Sequence, residues 1–272
     1  MRGLSGRTSV LGELNWDTYW RFETFRRACD PLDFRRWKRD SQRALRRLHP
    51  GDVKLLDSTT GMGDHTVNLA ELGFRVTGCD GSEVAREYAA NVIQDAGLDV
   101  PLLDLRWENI GEIAPERFDL IFNDALHWTY DEEELLSALR SFRRALVPGG
   151  ALVFFFADAR EPDPKAGLRL LEWDWEHLAA ERVEWDHTDG ERRVTLTILA
   201  ERGEDFIDEH HLFHDRRGDQ VELHTLTMRR VYRWDWAALT ELLRRAGFRD
   251  IQSEVCKNEA KGYTFALNRA FT

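Results

Sequence analysis

Residues 53–70 read VKLLDSTTGMGDHTVNLA, and the order of their chemistry decides the fold. A short apolar run, Val53, Leu55 and Leu56, ends in Asp57. A turn of small residues follows, with Gly61 and Gly63, and then Val67, Leu69 and Leu72 at helical spacing. The pattern predicts a buried strand, a tight glycine turn and a helix whose N-terminus faces that turn. Glycine lets a backbone approach a ligand closely, and a helix start offers unpaired N–H groups. The stretch reads as a cradle.

Downstream the same grammar repeats. Phe74–Cys79 predicts a strand ended by Asp80 and Gly81, with Ser82 as N-cap of a helix to about Gly97. Val100–Leu103 predicts a short strand closed by Asp104, and Phe118–Asn123 (FDLIFN) another, followed by Asp124, Ala125, Leu126, His127 and Trp128. A helix over Asp131–Leu146 stops at Pro148-Gly149-Gly150, and Ala151–Ala157 (ALVFFFA) is a buried strand. Near-continuous apolar strands alternating with helices imply a mostly parallel sheet covered on both faces. Ligands of such sheets sit at the carboxyl ends of the strands. Asp57, Asp80, Asp104, Asn123, Asp124 and Asp158 all fall there.

The flanks read differently. Trp16, Tyr19, Trp20, Phe22 and Phe25 crowd one helical segment, and Pro31 opens an arginine-rich second helix to about Leu48. Residues 1–50 are therefore expected to form a helical arm, packed on the domain edge or closing as a lid. After Arg160 the period changes: a short helix over Leu168–Trp175, then period-two stretches at Val183–His187, Val194–Ile198, Phe206–Phe213 and Val221–Tyr232. These predict an antiparallel insertion at about 160–232 within a domain of 51–272. A helix over Trp234–Ala246 and a strand pair, Asp250–Cys256 and Tyr263–Asn268, complete the domain.

Composition sets the outer bounds. The 272 residues carry a formal charge of −11, which argues against a nucleic-acid partner. The three cysteines, Cys29, Cys79 and Cys256, show no metal spacing and read as free thiols. There is no apolar h-region at the start and no run long enough to span a membrane, so a cytoplasmic location is expected. His210 and His214 share one face of a strand, with His224 on a neighbouring one, but an exposed polar face outweighs a metal site there and no metal is assigned.

Asp57, three residues, then Gly61-x-Gly63 resembles the first motif of the class I S-adenosylmethionine (SAM) methyltransferases; a dinucleotide fingerprint would need glycine at Thr66. The resemblance runs over about 53–157 and returns at 234–268. It implies a Rossmann-like seven-stranded sheet and SAM as cofactor, with S-adenosylhomocysteine as product. It also implies that Asp57, Thr59, Gly61 and Gly63 meet the amino-acid end of SAM. Asp80, beside Gly81, would take the ribose hydroxyls, Asp104 and Leu105 the adenine, and Asn123 and Asp124 would form the fourth-strand motif. Within the family the pattern is most similar to the glycine and glycine/sarcosine N-methyltransferases, which also lack the first glycine of the usual triple-glycine loop (Thr59 here). That likeness implies a cofactor role for Arg35 and Trp20 in the arm, and a carboxylate clamp at Arg160. Ala159 stands where those enzymes carry a histidine.

Trp16, Tyr19 and Trp128 are the remaining acceptor-side candidates, and His127, just past the fourth strand, is the candidate base. The expected reaction is methylation of a small molecule, first the nitrogen of an amino acid or amine. O- or C-methylation of a metabolite, and a non-catalytic scaffold or regulatory protein of the same fold, are the alternatives. A small-molecule methyl acceptor and a homo-oligomer complete the expected partners.

Overall fold

The computed structural model describes residues 14–30, 44–48, 51–156, 166–257 and 264–272. In chain order its helices are α1 (Trp16–Cys29), α2 (Asp64–Glu71), α3 (Glu83–Asp95), α4 (Ile110–Ile113), α5 (Glu132–Ala145), α6 (Ala166–His177) and α7 (Trp236–Arg245). The strands are β1 (Lys54–Asp57), β2 (Arg75–Asp80), β3 (Leu102–Asp104), β4 (Phe118–Asn123), β5 (Leu146–Phe156), β6 (Glu181–Asp189), β7 (Arg192–Arg202), β8 (Phe206–Arg217), β9 (Gln220–Val231), β10 (Arg249–Lys257) and β11 (Thr264–Phe271). They fall into two compact units, Leu32–Arg169 with Val231–Thr272, and Met1–Pro31 with Leu170–Arg230.

The larger unit holds a seven-stranded sheet in the order β10-β11-β5-β4-β1-β2-β3. Strands β1 to β5 pair in parallel, and β11 runs antiparallel to both β5 and β10. Why the strands are apolar throughout follows from the pleat: successive side chains enter opposite layers, and both layers are buried. Leu55 packs with Leu69, Phe74 and Phe122 on one face, while Leu56 packs with Ile121, Phe142 and Phe154 on the other. On β4, Leu120 and Phe122 go to the first face, and Phe118 and Ile121 to the second.

The covering helices carry their own punctuation. In α5, Asp131 caps the N-terminus by accepting from the Glu134 N–H at 2.9 Å. Three glutamates lie in the first turn and Arg143 and Arg144 in the last, the polarity that a helix dipole favours. Ser82 caps α3 through the Ala85 N–H, as its position in the sequence suggests. One boundary moves: α7 begins at Trp236 with Asp235 as its cap, and Trp234 instead donates its indole N–H to the Thr129 carbonyl at 2.6 Å. A second correction concerns Leu146–Gly150, expected as a turn. It is the bulged start of β5, where the register against β4 jumps between Phe118 and Leu120 and Gly149 takes a φ of +80°.

In the smaller unit β6-β7-β8-β9 form an antiparallel sheet in sequence order. Val194, Leu196, Ile198 and Ala200 alternate inward on β7, with Ile207 and Phe213 buried on β8. Helix α1 lays Phe22 flat on Phe213, ring centroids 4.3 Å apart. Asp215 receives Arg192 bidentately, and that guanidinium stands 4.5 Å over the Phe25 ring. The predicted second arm helix lies outside the described residues except for Ala44–Leu48, a single 3₁₀ turn.

Candidate active site

The sheet order places β1 beside β4, so the chain leaves the sheet in opposite directions from these two strands. That is the switch point at which parallel α/β sheets open a crevice. Loops following β1, β2, β3 and β4 carry the candidate residues of the larger unit, and they are built around a few hydrogen bonds.

Asp57 ends β1 with no exposed surface. One of its carboxylate oxygens accepts from the Thr59 N–H at 3.1 Å, and the other from the Thr66 hydroxyl at 2.7 Å. It therefore clamps the turn to the first part of α2. Gly61 and Gly63 take φ values of +48° and +86°, in the region that excludes most side chains. A Cβ on Gly63 would also approach the Ala89 backbone to 3.1 Å. The glycines hold the backbone of this turn in a path that no other residue follows without strain.

Asp80 ends β2 and accepts from two backbone N–H groups at 2.9 Å, Gly61 to one oxygen and Ser82 to the other. The carboxylate thus ties the β1 turn to the start of α3. Burial raises its pKa above the ordinary value, and the charge of Asp57 adds to this, while the Ser82 and Gly61 N–H groups oppose it. It remains partly exposed, and each oxygen keeps a lone pair beyond its backbone bond. Gly81 beside it is exposed.

Asp104 at the end of β3 is exposed and bound to Arg86, whose same Nη1 also donates to the Asp80 carbonyl at 2.8 Å. Leu105 next to it is buried in the core. Asn123, fully buried at the end of β4, donates to the Ser58 hydroxyl and accepts from the Ala125 N–H, pinning the β1 and β4 loops together. Asp124 receives the Nε2 side of His65 at 2.8 Å, and its N–H donates to the Thr59 hydroxyl at 3.2 Å. Asp57, Thr59, Gly61, Asp80, Asn123 and Asp124 therefore share one hydrogen-bonded constellation.

Three members of it escape sequence reasoning. His65 is buried on α2, Arg86 sits on α3, and Trp107 donates its indole N–H to the Ser58 carbonyl at 2.7 Å. Only His65, a histidine in the first turn after the glycines, carries a signal in the primary structure. His127 and Trp128 lie in a 3₁₀ turn, Leu126–Trp128; the His127 side chain is outside the described residues, and Trp128 is partly buried. Arg35 and Arg160 are also outside the described residues.

In the smaller unit Trp16, Tyr19 and Trp20 cluster on α1, with centroids 4.9 Å apart for Tyr19 and Trp20. Burial first, and then the Glu23 charge, push the Tyr19 hydroxyl well above the usual phenol range. Of the histidines, His210 bonds Thr227 and His224 packs on Phe22. No group of three or more metal-ligating side chains assembles among the described residues.

Residues 55–150 match a family described as a methyltransferase domain. Over 106 residues the chain is 30% identical to the glycine/sarcosine N-methyltransferase of Halorhodospira halochloris, covering 38% of this chain and 39% of that one. The chain thus spans about two fifths of the length of that curated relative. The fold is shared with an S-adenosylmethionine-dependent methyltransferase from Clostridium acetobutylicum, at 16% identity and a TM-score of 0.64 over 93% of this chain and 98% of the other. It is shared as well with the sugar N-methyltransferase KedS8 from Streptoalloteichus, at 19% identity and a TM-score of 0.63 over 98% of both.

Proposed function

We propose that this chain, whose residues 55–150 match a methyltransferase domain, transfers the methyl group of SAM to a small molecule, most simply to an amine or amino-acid nitrogen. The observation that carries the reading is Asp80. Its carboxylate is fixed at a strand end by two backbone N–H groups, and it offers two oxygens to a vicinal diol such as a ribose. The donor set therefore fits the cofactor.

Asp80 and the backbone beside Gly81 would hold the ribose, and Asp104 with Leu105 the adenine edge and face. The Thr59–Gly63 backbone would meet the amino-acid end, with Asn123 and Asp124 flanking it. Asp57, fully buried and bonded to Thr59 and Thr66, would act by holding the turn rather than by touching the ligand. Trp20 and Arg35 complete the proposed cofactor set. Bound SAM supplies a methyl group on a sulfonium, a cation that needs no metal to make it electrophilic.

What the protein must do is hold a neutral lone pair in line and keep water away. Such positioning supplies up to about 7–11 kcal/mol of a barrier. His127 would help an ammonium lose its proton, and Trp16, Tyr19 and Trp128 would wall the acceptor, with Arg160 pairing a carboxylate where there is one. Residues 1–50 as an arm, an insertion at about 160–232, a cytoplasmic location and a homo-oligomer belong to the same proposal. The charge of −11 favours a small acceptor over a nucleic acid.

Methyl-labelled SAM, incubated with the full chain and amino acids, biogenic amines and phenols in turn, tests the reading. Label is expected in an amine. Label in phenols alone would establish the O-methyl reading, and bound SAM without transfer to any acceptor would favour a scaffold. Arg160→Ala is expected to slow transfer to carboxylated acceptors only.

A further inference from the structure

We propose that Arg86 sets which nucleobase the cofactor site accepts, by holding the Asp104 carboxylate in one orientation; the inference deepens the SAM reading and rests on it. Arg86 lies in the first turn of α3, and its backbone N–H donates to the Ser82 carbonyl at 3.1 Å. A single nitrogen of its guanidinium, Nη1, donates both to the Asp80 carbonyl at 2.8 Å and to the Asp104 carboxylate at 2.9 Å. Asp80 and Asp104 are register partners on β2 and β3, so one atom ties together the ends of two neighbouring strands. All three residues belong to the larger unit.

The members of the ion pair are unequally exposed. The Arg86 side chain keeps 17% of its surface in solvent and the Asp104 side chain 72%. A pair with one member this open adds little to stability, because water screens it. What it changes is freedom. A carboxylate out in solvent samples several rotamers, whereas here one oxygen is tied to a cation that is itself anchored on backbone. The second oxygen of Asp104 meets no hydrogen-bond partner among the described residues and is left for a ligand. Trp107, in the loop that follows, is pinned as well, since its indole N–H donates to the Ser58 carbonyl at 2.7 Å. Two acids at paired strand positions repel each other, and Arg86 offsets this. Burial raises the Asp80 pKa, and the charge of Arg86 is among the causes that oppose the rise.

A fixed acceptor reads a base, and a swinging one does not. Adenine carries an amino group at C6, a donor, beside the N1 acceptor. Hypoxanthine reverses the pair, with an oxo acceptor at C6 and an N–H at N1. A carboxylate oxygen held opposite C6 accepts from the amine and is repelled by the oxo oxygen. Freed of Arg86, it swings to the N1–H or out into water, and the penalty against the oxo base disappears. Arg86 is thus a positioning residue that acts through Asp104.

Calorimetric titration of the full chain with S-adenosylhomocysteine and with S-inosylhomocysteine, which carries hypoxanthine in place of adenine, tests the proposal. The native chain is expected to prefer the adenosyl compound by about tenfold or more. Arg86→Gln, uncharged and too short to bridge the two acceptors, is expected to bring that ratio below about threefold, mainly by admitting the inosyl compound. A purely structural role would weaken both compounds alike and leave the ratio where it was; that result, or no change in either affinity, overturns the proposal. Asp104→Asn presents a donor as well as an acceptor at an exposed position, so it is expected to take either base equally. A preserved ratio in Asp104→Asn also overturns the proposal, and does so even if Arg86→Gln does not fold. A native chain that binds the adenosyl compound without preference refutes the Arg86 assignment alone. A native chain that binds neither compound removes the SAM reading and this inference together.

Discussion

Two carboxylates at the ends of neighbouring strands do different work because they keep different company. Asp57 is sealed from solvent and bonded to the turn it braces, whereas Asp80 is braced by the turn and stays partly exposed. A third ionisable group, His211, stores its effect in the pH dependence of stability. Its ring lies near Tyr19 on α1, and it feels the charges of Arg182 and Glu184 on β6, Glu209 on its own strand and Arg230 on β9. Below its ordinary value of 6.5 the unfolded chain takes up a proton that the folded chain refuses until about 4. Stability is therefore expected to fall as pH drops through that window, by up to about 3 kcal/mol, and no further from this group below it. Urea unfolding across that range should show the slope in the native sequence and a shallower one in His211→Phe; equal slopes would remove the assignment. The strand-end acids were legible in the sequence because a parallel sheet puts function at its carboxyl ends. His65, Arg86 and Trp107 were not, since their partners Asp124, Asp104 and Ser58 lie 59, 18 and 49 residues away in the chain. His211 was passed over for His210 and His214, its neighbours on the opposite face of the same strand.

Among the elements, the parallel strands could be read almost to their ends, because burial of both faces leaves an unbroken apolar run. The start of β5 could not: a proline and two glycines announce a turn, yet Thr272 closes the segment by accepting from the Gly149 N–H and donating its own N–H to the Gly150 carbonyl. The antiparallel strands extend beyond their period-two cores, as β8 does to Arg217 and β9 back to Gln220, since backbone pairing continues through charged residues that pattern alone treats as loop. What fastens α1 to this sheet is the Phe22–Phe213 stack. Phe22 is fully buried, so Phe22→Ala is expected to destabilise the smaller unit by about 3–5 kcal/mol in urea unfolding. A loss below about 1 kcal/mol would mean that the helix is held by something else.

At the scale of the molecule, a sheet order that turns back between β1 and β4 creates the crevice, and the acidic strand ends converge on it. The order was legible as a class from the alternation of elements. Membership of α1 in a unit with residues 170–230 was not, because nothing local in an amphipathic helix names the surface it will cover. The cofactor claim is carried by Asp80 at the end of β2, so calorimetric titration of SAM into the native chain and into Asp80→Ala tests it most directly. Binding near one SAM per chain is predicted, weakened roughly 100-fold in the variant through loss of charge-assisted hydrogen bonds of about 1.5–3 kcal/mol each. No binding to the native chain, or equal affinity in the two proteins, would contradict it.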